Sequence, residues 1–207
     1  MKKKLSLWLL LFALPGFSQS LKATYKAGVI IKPNVEVPSW FIPRIYSYEF
    51  CDGKSITTMI SGPPPGANVQ SPTEDIFYKD FSAGSYRLEI TMAGGSYSVR
   101  DKLPDFKWKI LPEIKVINGY KCSKATGIAG TMPITAWFCR EFNVHDGPNR
   151  YCGLPGLILK ININDNTEIV ATGIETSNKV ISIKEPAAKS PVLSFKDMEQ
   201  LVNEGIK

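Results

Sequence analysis

Residues 45–60 read IYSYEFC-DG-KSITTMI, two stretches of alternating character joined at Asp52-Gly53. Side chains of a strand point alternately to its two faces, so each stretch presents one aromatic or aliphatic face and one polar face. Asp-Gly between two such runs accepts the positive φ angles of a tight hairpin turn. The same grammar extends in both directions. In residues 22–32, Ala23, Tyr25, Ala27, Val29 and Ile31 alternate with Lys22, Thr24, Lys26 and Lys32. In residues 86–92, Tyr86, Leu88, Ile90 and Met92 alternate with Arg87, Glu89 and Thr91, before Gly94-Gly95. Further strands are expected at 96–101, 106–110, 113–117, 120–128, 132–140, 156–164, 167–175 and 179–184. Turns at Asn118-Gly119 and Asn164-Asp165-Asn166 separate four of them. Only the C-terminus has helical character. Ser194 is the N-cap with Asp197 three residues on, Phe195, Met198, Leu201 and Val202 share one face, and Gly205 is the terminator. The expected fold is mainly β: one domain, a curved antiparallel meander, open enough for a half-barrel, with a short C-terminal helix.

The N-terminus is read separately. Met1-Lys2-Lys3-Lys4, the apolar run Leu5 to Leu14, and small residues at Gly16 and Ser18 form the pattern of a cleavable secretory signal, cut after Ser18. The apolar run is too short to span a bilayer. The expected organisation is therefore a signal peptide at 1–18 and one β domain at 19–207, exported to the periplasm, the outer-membrane surface or the medium. Removing residues 1–18 takes away three lysines and no acids, leaving 22 basic and 19 acidic residues and a net charge of +3. That balance, without a basic run carrying interleaved aromatics, excludes a nucleic-acid partner. No second apolar stretch reaches membrane length.

Four cysteines, Cys51, Cys122, Cys139 and Cys152, are an even count in a compartment that permits disulfides. Cys139 and Cys152 flank a turn-rich loop, where a bridge would add roughly 3 kcal/mol by restricting the unfolded chain; Cys51 with Cys122 then remains. The stretch Ser61-Gly62-Pro63-Pro64-Pro65-Gly66 through Thr73 has no strand character, because three consecutive prolines remove three backbone donors.

Residues 137–159 read WFCREFNVHDGPNRYCGLPGLIL. The hexapeptide Gly153-Leu154-Pro155-Gly156-Leu157-Ile158 resembles the signature of the GLPGLI family, small exported proteins of Gram-negative bacteria. The resemblance extends upstream through Trp108, Lys115, the segment Gly119 to Ala125, and Ala136-Trp137, with Gly147-Pro148 just before the signature. Phe142-Asn143 departs from that family's usual Ile-Pro, and Cys139 and Cys152 are additions. The resemblance implies a β-rich exported fold and no established reaction. Read by its residues, the hexapeptide shapes a bend. Gly153 and Gly156 take backbone angles closed to other residues, Pro155 fixes one φ, and the remaining side chains are apolar. Trp137, Gly147, Pro148 and Gly153 to Ile158 are the candidate interaction site.

His145 beside Asp146, with Cys139 and Cys152 nearby in the chain, is the only constellation that could hold a cysteine nucleophile and an imidazole base. His-Asp before Gly-Pro is also ordinary turn composition. The cysteine spacings fit no zinc pattern, and Asn162, Asn164, Asn166 and Glu168 lack the glycine and final carboxylate of a calcium loop, so no metal and no cofactor are implied. Glu74, Asp75, Asp101, Asp105 and Glu113 show no acid/base spacing. Trp40, Phe41, Tyr46, Tyr48 and Phe50 suit a strand core or a stacking surface. The function expected from these residues is a non-enzymatic envelope protein that binds an apolar or peptide ligand or docks on an outer-membrane assembly. The alternative is a cysteine-dependent hydrolase using His145.

Overall fold

In a computed structural model, residues 20–30, 42–62, 76–92, 95–188 and 191–205 are described. The expected signal peptide, Trp40, Phe41 and the prolines of the 61–73 segment lie outside them. Among the described residues, twelve strands form a single open sheet. They are β1 (Ser20–Val29), β2 (Arg44–Cys51), β3 (Lys54–Ser61), β4 (Ile76–Asp80), β5 (Ser85–Met92), β6 (Gly95–Lys102), β7 (Lys109–Ile117), β8 (Tyr120–Ala129), β9 (Met132–Cys139), β10 (Leu157–Ile163), β11 (Thr167–Ser177) and β12 (Val192–Leu193), followed by helix α1 (Phe195–Gly205). Their order is β12-β6-β5-β4-β3-β2-β1-β11-β10-β9-β8-β7. Two antiparallel meanders, β2 to β6 and β7 to β11, are thus joined by β1, which pairs with β2 on one side and with β11 on the other. The sheet ends at β7 and β12 and does not close.

The hairpins follow the local chemistry. Asp52 and Gly53, Asn118 and Gly119, and Asn164 and Asp165 all have positive φ, the geometry whose twist matches that of the flanking strands. At α1, Asp197 N donates to Ser194 Oγ at 3.2 Å and Ser194 N donates to Asp197 Oδ2 at 3.2 Å, a reciprocal cap. The aromatic alternation of 45–50 buries Tyr46 and Tyr48 on the same face as Tyr25, whose ring meets Tyr48 edge-on at 6.0 Å.

Three strand expectations change. The expected strands 106–110 and 113–117 become one strand, β7, that starts only at Lys109 and is irregular between Ile110 and Ile114, where Pro112 supplies no donor; residues 106–108 are not in a strand. Residues 179–184 are not a strand. The chain there leads onto the outer face of β5 and β6 rather than an edge, so no ladder is open to it. Side chains hold it: Arg87 Nη1 donates to Pro186 O at 2.7 Å, and Glu185 pairs with Arg100 at 2.6 Å and Arg87 at 3.0 Å. The chain then passes the sheet edge as β12, parallel to β6, and α1 lays Phe195 and Met198 on the inner face against Tyr86, Leu88, Ile90 and Val99. Leu201, expected on the same helical face, is exposed.

The expected bridges do not form: no disulfide joins any two of the four cysteines, all of which are buried. Alternation along β9 turns Cys139 away from Phe138 and onto the outer face. Extending the β8–β9 register by one residue places it opposite Cys122. Cys152 lies across the sheet, bridged to Asp146 and under the electrostatic influence of Lys79 and Asp146. Cys51 and Cys122 stand on β2 and β8, with four strands between them.

Candidate functional site

Within the segment between β9 and β10, the stretch from Asp146 to Tyr151 lies against the inner face of the sheet, and a buried polar cluster holds it there. Asp146 and Lys79 are both fully buried and form an ion pair at 2.5 Å. Tyr48 Oη donates to Asp146 Oδ2 at 2.9 Å, and Lys79 Nζ donates to the carbonyls of Gly147 at 2.7 Å and Tyr151 at 3.4 Å. Each charge is therefore compensated by its opposite and by further hydrogen bonds, as a charge out of water requires. Tyr25 Oη donates to Ile158 O at 2.8 Å, and Asn149 N donates to Thr57 Oγ1 at 3.1 Å. Burial pushes the phenols of Tyr25 and Tyr48 well above their ordinary pKa, and the Asp146 carboxylate adds to both shifts.

The hexapeptide enters this arrangement through close backbone packing. Gly156 has φ +147°, and a Cβ there would stand 2.2 Å from Cys139 O; one on Gly147 would stand 2.7 Å from Ile158 Cβ. Leu154, Leu157 and Ile158 are buried in the core, and Pro148 is buried beside Gly147. Trp137 sits on the opposite, outer face, half-buried between buried Ala136 and Phe138. The structure thus separates Trp137 from the inner-face residues of the candidate site.

The hydrolase constellation is dispersed. His145 is exposed, whereas Asp146 beside it points inward. Burial raises the thiol of Cys152 to about 11 and that of Cys122 to about 12, and it raises Cys139 as well. A neutral buried thiol is neither nucleophile nor base partner. These shifts also predict alkaline lability. A folded pKa above the unfolded value means that the unfolded chain releases the proton first. The stabilising contribution is intact below about pH 9 and is lost as pH rises through about 11 to 12. The urea midpoint is accordingly expected to fall between pH 8 and pH 11, and all four thiols to react with an alkylating reagent only after denaturation; rapid labelling of the native protein would contradict the burial.

A groove of about 330 Å³ lies on the same inner face, where the end of the first meander, α1 and the tip of the β8–β9 hairpin converge; its lining includes Tyr86, Asp101, Phe106, Arg150, Phe195 and Glu199. Arg150 belongs to the 145–153 loop, and its guanidinium sits 4.5 Å from the centre of the Phe195 ring. Phe195 N donates to Asp101 Oδ2 at 3.3 Å. Phe106 stacks on Tyr151 at 5.4 Å and tilts onto Trp108 at 5.3 Å, and Trp108 Nε1 donates to Cys152 O at 2.8 Å. The buried cluster therefore fixes the loop, and the loop fixes one wall of the groove. Aromatic side chains, of which Tyr86 and Phe106 are almost wholly buried, line the groove together with carboxylates and a guanidinium, groups able to meet C–H surfaces and hydroxyls together. The groove's own surface is more apolar than polar, with Asp101, Arg150 and Glu199 at its border.

Sequence reading placed Asp101 and Asp105 among unspecific carboxylates and did not identify Lys79, Arg150 or Glu199. Lys79 carried no sequence signal, and only the register of β4 places it beside Ser55 and Tyr86. Arg150 and Glu199 carried none. Among the described residues, no group of three His, Cys, Asp or Glu side chains is placed to hold a metal ion.

The profile of the family described as "N-glycanase peptide, N-terminal domain" matches residues 54–197. Two solved structures of PNGF-II, in C2 and P21 crystal forms, share the fold with TM-scores of 0.59 and 0.60 at 16% and 15% identity. The alignments cover 90% of this chain and 33% and 34% of those chains, so this chain spans about a third of their length. No curated protein matches the chain by sequence. These matches overturn the GLPGLI assignment. The hexapeptide's glycines, proline and leucines encode a bend and its burial, features that report a local geometry rather than a family. They also replace the expected apolar- or peptide-binding envelope module and its cysteine-hydrolase alternative.

Proposed function

This chain belongs to the N-glycanase peptide N-terminal domain family, and from that premise we propose that it is a saccharide-recognising domain whose binding site is the inner-face groove. The observation that carries the reading is the placing of Tyr86, Phe106 and Phe195 beside Asp101, Glu199 and Arg150 around one cavity. Recognition is favoured over bond cleavage because two of the groove's three acids are engaged in structure. Asp101 accepts the Phe195 N–H, and Asp105 accepts from Lys107 N at 2.9 Å and pairs with Lys107 Nζ. Export, supported by the basic head and apolar run of residues 2–14, would bring the domain to glycoproteins outside the cytoplasm.

Saturation-transfer NMR with neutral N-glycan oligosaccharides tests the proposal. Wild-type protein is expected to bind, and Phe195→Ala and Glu199→Gln are each expected to weaken binding about tenfold, a loss of about 1.4 kcal/mol. Absence of transfer from wild-type protein to any of these oligosaccharides would refute it.

A further inference from the structure

On the face opposite the groove, Trp137 is the centre of a cationic row. Its cross-strand partners in register are Lys124 on β8 and Lys160 on β10. Lys160 is in turn opposite Val170, and Val170 opposite Lys26 on β1, so the row runs across the outer face. Lys115 on β7 joins it, with its ammonium 5.9 Å from the Trp137 ring centre; that of Lys124 stands at the same distance. Two carboxylates enter the patch. Glu113 pairs with Lys124 at 2.7 Å and Glu168 pairs with Lys160. Four ammonium groups against two carboxylates leave the patch positive. The adjacent outer-face row, Thr126, Thr135 and Asn162, adds hydroxyl and amide groups beside the indole.

We infer that this outer-face patch is a second binding site, for an acidic saccharide. A half-buried indole offers a flat apolar surface to a sugar ring. The hydroxyls and amide match ring substituents, and Lys115 and Lys26, both exposed, are placed to meet a carboxylate or sulfate on the same ligand. Lys124 and Lys160, held by their glutamates, fix the rim around the ring. The site is separate from the groove, because the two lie on opposite faces of the sheet, and it does not depend on what the groove binds.

Titration calorimetry with oligogalacturonate and with a heparin-derived oligosaccharide tests the assignment. Wild-type protein is expected to bind both, and to lose that binding in 1 M salt, where the screening length falls to about 3 Å. Lys115→Glu, Lys26→Glu and Trp137→Ala are each expected to weaken binding roughly tenfold, while Phe195→Ala, in the groove, leaves it unchanged. The two lysine substitutions are at exposed positions and keep the test decisive if Trp137→Ala does not fold. Unchanged affinity in both lysine variants, or binding to phosphatidylglycerol vesicles without binding to either saccharide, would overturn the inference.

Discussion

Gly156→Ala is expected to destabilise the domain by about 4 kcal/mol or more, enough to leave much of it unfolded at ordinary temperature. The added methyl would stand 2.2 Å from the carbonyl oxygen of Cys139 and 2.6 Å from its carbon, at φ +147°, a conformation that side chains rarely adopt. The obstacle is backbone of the neighbouring strand, so no rotamer change relieves it, and β10 would have to part from β9 where the two strands meet. Gly173→Ala is the control. It lies on β11 with nothing within 4 Å of the added atom, and it is expected to change stability by less than about 0.5 kcal/mol. Urea unfolding of the two variants measures the contrast, and similar midpoints would show that the β9–β10 junction is not the rigid element described.

The second large effect concerns the buried ion pair. Lys79→Met is expected to cost about 3 to 5 kcal/mol, because it strands the Asp146 carboxylate in a place where no water replaces the ammonium. Asp146→Asn keeps an acceptor for Tyr48 but strands the ammonium of Lys79, and is expected to cost a comparable amount. The double variant removes both charges at once. It should be much less destabilised than the sum of the single changes, leaving a coupling of roughly 2 kcal/mol or more. Additive losses would mean that the two groups do not compensate one another. The single variants should also loosen the 145–153 loop and with it Arg150, so saccharide affinity at the groove is expected to fall in both.

Much of the fold was legible because strands, tight turns and caps are decided within a few residues. The alternation of Tyr46, Tyr48 and Phe50, the Asp52-Gly53 and Asn118-Gly119 turns, and the Ser194–Asp197 cap each follow from side-chain chemistry at close range. Strand β4 was missed because five residues containing Lys79 and Asp80 do not read as a strand with a buried face. Lys79 is buried there only because Asp146, 67 positions further along the chain, meets it. The disulfide expectation failed for a related reason: proximity in sequence placed Cys139 with Cys152, whereas alternation along β9 turns Cys139 toward Cys122 and the loop brings Cys152 under the influence of Lys79 and Asp146.

The sequence alone determined that this chain folds as a β meander with a capped C-terminal helix, and that a bend at residues 154–156 leads into β10. Tertiary structure alone decided that β1 joins the two meanders through β11, that the loop around Asp146 and Gly147 is held on the inner face by Lys79 and Tyr48, and that Arg150 and Phe195 border one groove. Periodicity and turn propensity are properties of neighbouring residues. The groove and the ion pair instead depend on contacts between distant segments, whose partners become defined only once the sheet has brought them together.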